Sequence, residues 1–285
     1  MTGTLSANTC SGARHQFIIR PTKKVPVIVD KAMRPTSSVV LSNMYLNFKM
    51  EQISRKCVVI TFANQKGGVG KTTLCTLFAN YLAAKGKSLL VVDCDGQQTI
   101  YDKRKKDLKS KPEKEIPYNV QPFNISNIEH VKKLMDFIQT MDGVILIDAP
   151  GSLSQKGLIP LFASTDYIVC PFQFEQTSIN STVTFILFIQ KLMQKIEKMK
   201  TGIFFVVNRH DKRVGKKDEL EIWAKTEKAF NEYGHVVPRV EQAINMQRYN
   251  TFSLVANQDK IVGPAFDYIY KSIFEEKEDL GPNGR

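Results

Sequence analysis

Two hydrophobic rhythms alternate along this chain. Short, nearly unbroken apolar runs stand at 58–63, 88–92, 144–147, 167–171 and 203–207. They are rich in Val and Ile and too short for helices, so they read as strands buried on both faces. Between them lie segments with three-to-four spacing. In 72–85 the apolar positions are Leu74, Leu77, Phe78, Tyr81 and Leu82, and Gly86 follows as a stop. The same spacing predicts helices over 128–140, 177–199, 218–233 and 266–278, with a short strand at 235–237. Residues 101–119 are polar, lysine-rich and carry two prolines, so they are read as irregular. Strands alternating with helices predict an α/β fold: a mostly parallel, doubly wound sheet flanked by helices.

Residues 1–49 break this pattern. They are rich in Ser, Thr, Pro and Lys, and prolines interrupt their apolar stretches. Two domains are therefore expected, a poorly structured basic extension over 1–49 and a second domain that carries the alternating pattern over 50–285, with Met50 as a candidate natural start. The extension carries seven basic residues and one acidic residue, half of the net charge of +12. A basic arm touching DNA is the rival reading of that segment. Over the whole chain, 42% hydrophobic and 24% charged residues fit a water-soluble globular protein, and no apolar run is long enough to span a bilayer. Five scattered cysteines without a CxxC pair suit a reducing, cytoplasmic setting.

The candidate chemistry sits where the first strand meets the first helix. After the strand at 58–63 come Asn64, Gln65, Lys66, Gly67, Gly68, Val69, Gly70, Lys71, Thr72 and Thr73. Glycines let the backbone turn its N–H groups towards phosphate oxygens, and the helix start adds the positive end of its dipole. Lys71 is placed to reach β- and γ-phosphates, and the Thr72 hydroxyl to ligate Mg²⁺. The spacing departs from GxxxxGK[ST], because Gln65 stands where the first glycine belongs. Either the loop is degraded, or it is the KGGxGKT[TS] variant with Lys66 as its extra lysine.

With that variant loop, the chain resembles the ParA/MinD/Soj family of deviant Walker A ATPases, from about residue 56 to residue 275. Small ParA-type partition proteins of plasmids or mobile elements are the nearest in kind. The resemblance implies a P-loop NTPase that uses ATP and Mg²⁺ and pairs as a homodimer on ATP. Lys66 then reaches across the interface to the partner's nucleotide, much as an arginine finger does. The segment Asp93-Cys94-Asp95-Gly96-Gln97 resembles the family's DxDPQ, with Gly96 in place of proline. By resemblance Asp95 positions the attacking water and Asp93 supports the Mg²⁺ shell. Ile147-Asp148-Ala149-Pro150 closes an apolar strand on a carboxylate, the Walker B shape. Asn208 matches an asparagine that reads the adenine edge, against a capping or turn role, and Pro238-Arg239 resembles a loop that packs on the base.

The cargo is less legible. The tail from Ile273 to Asp279 is acidic, so an anionic membrane is not expected as a partner. Non-specific DNA is expected instead, along with a small activating partner protein. Candidate DNA contacts are Arg209, Lys212, Arg213, Lys216 and Lys217, and the run Lys103 to Lys106; a solvated charged face is the plainer reading of both. The competing function is an ATP-gated docking factor for a conjugation, secretion or other protein cargo. A cluster-bridging reductase is not expected, since no cysteine lies between Cys94 and Cys170.

Overall fold

The computed structural model describes residues 57–275. The predicted extension, Met50 and the residues after Glu275 lie outside that range. Seven strands form one sheet in the order β3-β2-β4-β1-β5-β6-β7, and every pairing is parallel. The strands are β1 (Cys57–Phe62), β2 (Leu89–Asp93), β3 (Asn119–Pro122), β4 (Gly143–Asp148), β5 (Tyr167–Phe172), β6 (Gly202–Val207) and β7 (His235–Val236). Helices join them: α1 (Lys71–Ala84), α2 (Thr99–Ser110), α3 (Ile128–Gln139), α4 (Leu158–Ala163), α5 (Gln176–Lys195), α6 (Lys217–Phe230) and α7 (Ala256–Tyr270).

Strand side chains alternate faces, and the core divides accordingly. Val59, Ile145 and Ile147 enter a cluster with Val131 of α3, Phe162 of α4 and Phe185 of α5. Ile60, Val144 and Leu146 enter the opposite cluster, with Leu74 and Phe78 of α1 and Phe266 of α7. Both faces of the sheet are covered, which is why its strands read as unbroken apolar runs. The stop at Gly86 has the expected form: its φ is +74°, its N–H bonds Ala83 O, and Lys87 N–H bonds Leu82 O.

The sequence reading departs from the structure in four places. α2 starts two residues before the segment read as irregular and fills its first half; only Ile100 and Arg104 of it are buried, so it offers no apolar stripe. β3 is a short edge strand ending in Pro122. α4 has six residues, below the length at which periodicity shows. α7 begins at Ala256, ten residues before the predicted start, and passes through Pro264. Packing overrides that break, because Val262, Ala265, Phe266 and Ile269 are all buried, and Phe266 meets Phe78 edge-on at 4.9 Å.

Candidate nucleotide-binding site

The site lies at the carboxyl ends of the central strands. From β1 the chain moves to one side as far as β4, then crosses to the other side as β5. A crevice outside the strand ends is expected at such a reversal. Phe62 is paired with Asp148, and Asp148 with Asp93, so the loop after β1 and the two acids share one level.

The loop over 64–70 leads into α1 with no acidic residue in the helix's first turn. An added Cβ at Gly67 or Gly68 would meet nothing within 4 Å, which leaves the concave side open to a ligand. Gly70 caps α1 with φ +98°, and a Cβ there would come within 2.3 Å of Asn208 Nδ2. The glycine is thus required twice, by backbone conformation and by contact. The helix N-terminus and this cradle together make an anion site.

Lys71 is buried, and its ammonium donates to Lys66 O at 3.2 Å. Burial lowers its pKa, and the nearby carboxylates of Asp148 and Asp95 offset part of that effect. Asp148 is fully buried, and neither of its carboxylate oxygens has a hydrogen-bond partner. Burial pushes its pKa up to about 8; the Thr72 hydroxyl beside it and Lys71 pull the other way, short of a conventional hydrogen bond. A buried carboxylate with two empty acceptors is costly, and such a group calls for a cation. Mg²⁺ typically takes one or two carboxylates plus phosphate oxygens and water. Asp148 and Thr72 fit that donor set.

Asp93 accepts from backbone N–H groups on both carboxylate oxygens. Its Oδ2 accepts from Ile100 N (2.9 Å) and Tyr101 N (3.0 Å), and its Oδ1 from Asp95 N at 3.3 Å. It therefore caps α2 and pins the loop carrying Asp95. Burial raises its pKa, and those three N–H groups offset the rise. Asp95 is half-buried, and its Oδ1 accepts from Gln97 N at 3.0 Å.

Lys66 points away from Lys71. Its ammonium donates to Thr177 Oγ1 at 2.9 Å, in the first turn of α5. Its own N–H bonds Asn64 Oδ1 at 3.2 Å. Asn64 is buried, and its amide donates to Pro171 O (2.8 Å) and Thr182 Oγ1 (2.9 Å). Sequence reasoning passed over Asn64, although a polar residue at the end of a buried strand is itself a signal. Nothing in the sequence marks Thr177 as a neighbour of Lys66, since 111 residues separate them.

Asn208 is buried, and its Nδ2 donates to Val69 O at 2.7 Å. It buttresses the loop and also lines a cleft with Gly70, Thr73, Gln242, Ala243 and Met246. Any contact with a base would draw on its carbonyl oxygen and second N–H. The Arg239 guanidinium holds Glu227 of α6 at 2.8 and 2.9 Å and covers the Phe174 ring. Arg104 is corrected. It is buried, bonded to Thr251 and to Tyr118 O, and unavailable to a ligand. Lys212 pairs with Glu241, and Arg213 with Asp211. The described cysteines (Cys57, Cys75, Cys94 and Cys170) are buried.

A nucleotide site at the head of a parallel sheet is the class that this geometry defines. Residues 60–251 match the CobQ/CobB/MinD/ParA nucleotide binding domain, and the chain belongs to that family. It is 60% identical over 38 residues to the chromosome-partitioning ATPase Soj of Thermus thermophilus, a match spanning 13% of this chain and 15% of that relative. Among solved structures, a plasmid partition protein from Borrelia burgdorferi shares the fold with a TM-score of 0.54 and 19% identity, covering 76% of this chain and all of that one. An ATP complex of a Cyanothece McdA variant gives 0.60 and 14%, covering 77% and 97%. The MinC:MinD complex of Aquifex aeolicus gives 0.56 and 18%, covering 80% and 98%. Among the described residues, no helix is long and apolar enough to cross a membrane.

Proposed function

We propose that this chain is a Mg²⁺-dependent ATPase whose ATP-bound homodimer binds DNA without sequence preference and acts in partition or positioning of plasmid or mobile-element DNA. Hydrolysis is slow and is stimulated by a small partner protein. The observation that carries the reading is the division of labour between two lysines on one loop. Lys71 is buried beside the orphaned carboxylate of Asp148, whereas Lys66 lies half-buried on the rim and turns away. One cation suffices for the chain's own phosphates; the second is free to serve another subunit.

The chain's residues divide the chemistry as follows. Backbone N–H groups of Gly67, Gly68, Val69, Gly70, Lys71, Thr72 and Thr73 bind the phosphates. Lys71 neutralises charge on them in a buried site, where that is worth most. Bound Mg²⁺ would spread the remaining phosphate charge; Thr72 would hold it directly and Asp148 through water, with Asp93 steadying the loop behind. Asp95 orients the attacking water. Lys66 of the facing subunit supplies the last positive charge, a contribution of about 10³–10⁵ in rate for such a group. Asn208 and its cleft receive the base.

A second reading is an ATP-gated docking factor for a protein cargo that never touches DNA. It is favoured by the loss of Arg104 from the basic run and by the internal pairing of Lys212 and Arg213. Co-sedimentation with DNA, with and without Mg²⁺-ATP, across a salt series separates the two. ATP-dependent binding that weakens steeply with salt supports partition; no binding at low salt removes the DNA reading.

A further inference from the structure

A stretch without helix or strand, 248–255, joins the 3₁₀ turn at Ile244–Gln247 to α7. In its middle Thr251 is buried, and α2 engages every polar atom it has. Arg104 donates from Nε to Thr251 Oγ1 at 2.9 Å and from Nη2 to Thr251 O at 2.7 Å. Asp107, one turn further along α2, accepts on Oδ2 from Thr251 N at 2.8 Å and from the Thr251 hydroxyl at 2.9 Å. The hydroxyl is thus used as donor and acceptor at once, between opposite charges. α1 holds the flanking residues, because the buried Asn80 donates to Asn250 O at 2.7 Å and to Ser253 O at 3.2 Å.

Upstream, the same stretch reaches the nucleotide cleft. The Tyr249 hydroxyl stands beside the Thr73 hydroxyl in the first turn of α1, and the Lys103 ammonium of α2 lies 4.9 Å from the Tyr249 ring centre. Met246 and Gln247 line the cleft with Thr73 and Asn208. At its other end α2 is capped by Asp93, which also holds the loop of Asp95. We infer that Arg104, Asp107 and Thr251 are positioning residues through which α2 sets the base-side wall of the cleft, at a fixed place relative to the loop bearing Asp95. This rests on the reading above that the cleft receives the base. A wall held in advance need not be ordered by the nucleotide, whereas a loose one must be. The charge-assisted bridge through the Thr251 hydroxyl is worth about a tenfold factor in affinity.

Inorganic tripolyphosphate carries three linked phosphates without a nucleoside, so it separates this role from a general loss of structure. Calorimetric titration of the full chain with Mg²⁺-ATP and with Mg²⁺-tripolyphosphate is the test. Thr251→Val is expected to weaken ATP about tenfold and tripolyphosphate by no more than about twofold, and Thr251→Ser to restore ATP. Asp107→Asn, at a partly exposed position, is expected to weaken ATP about threefold with the same selectivity, and serves where Thr251→Val folds poorly. Hydrogen exchange over 244–253 in the nucleotide-free protein is expected to quicken in both variants and to slow again with ATP. Equal weakening of the two ligands, or an unaltered preference for ATP in both variants, overturns the positioning role while leaving the cleft as the base site. If wild type itself binds tripolyphosphate as tightly as ATP, the reading of the cleft falls, and the positioning role falls with it.

Discussion

Asp148→Asn should make the nucleotide-free protein more stable, and more so as pH rises. The carboxylate is fully buried with both oxygens unpartnered, and its pKa is pushed from 3.8 to about 8. In the unfolded chain the group ionises near pH 4; in the folded chain it keeps its proton until about pH 8. The folded state therefore binds the extra proton between those values, and stability falls with rising pH across that window. About four pH units at 1.36 kcal/mol each set a ceiling of about 6 kcal/mol. Asparagine has no charge to bury, but its N–H groups need acceptors in a site built around an acid, which takes back about 1–3 kcal/mol. The net gain expected at pH 8 is about 3 kcal/mol, vanishing or reversing near pH 4. Urea denaturation of both proteins in a chelator, from pH 4 to pH 9, measures the difference, and the raised pKa of Asp93 is common to both and cancels. A difference that stays flat between pH 5 and pH 8 would refute the reasoning. The same variant should lose Mg²⁺-dependent nucleotide binding.

Three further outcomes follow from the same geometry. Gly70→Ala places a methyl group against Asn208 at a φ that L residues avoid, and should destabilise by about 2–3 kcal/mol and weaken nucleotide binding, read by thermal melting and titration. Arg104→Met leaves Tyr118 O and Thr251 without their partner and should cost about 2–4 kcal/mol in urea, while leaving the salt slope of any DNA binding unchanged. Lys66→Ala should keep nucleotide affinity within about threefold, the most that loss of its single exposed hydrogen bond supports, and abolish self-association and hydrolysis; normal turnover in that variant would remove Lys66 from the catalytic set.

Six of the seven strands and the loop at the head of the sheet are legible because each rests on local sequence. A strand buried on both faces must be apolar throughout, and the turn into α1 needs glycine at Gly70. What stayed hidden depends on contacts between distant residues. α2 has only Ile100 and Arg104 buried, and its N-terminus is fixed by Asp93, seven residues upstream of Ile100. Arg104 reads as part of a surface run until Thr251 and Tyr118 are seen around it. Charge alone cannot say whether a guanidinium faces solvent or a buried carbonyl. The motif offers Asn208 as a residue for the base, yet its bond to Val69 O spans 139 positions, and a motif cannot report it.

The two borders of the sheet restrict how copies of the chain can meet. β3 has four residues and closes on Pro122, which has no N–H to give; β7 has two. Neither offers a neighbouring molecule a run of free backbone groups long enough to template another strand. Among the described residues, neither border favours growth of the sheet from chain to chain, the route to filaments and to irreversible aggregates. Among the described residues that leaves side-chain surfaces for the proposed pairing, a kind of contact that a spent ligand can undo.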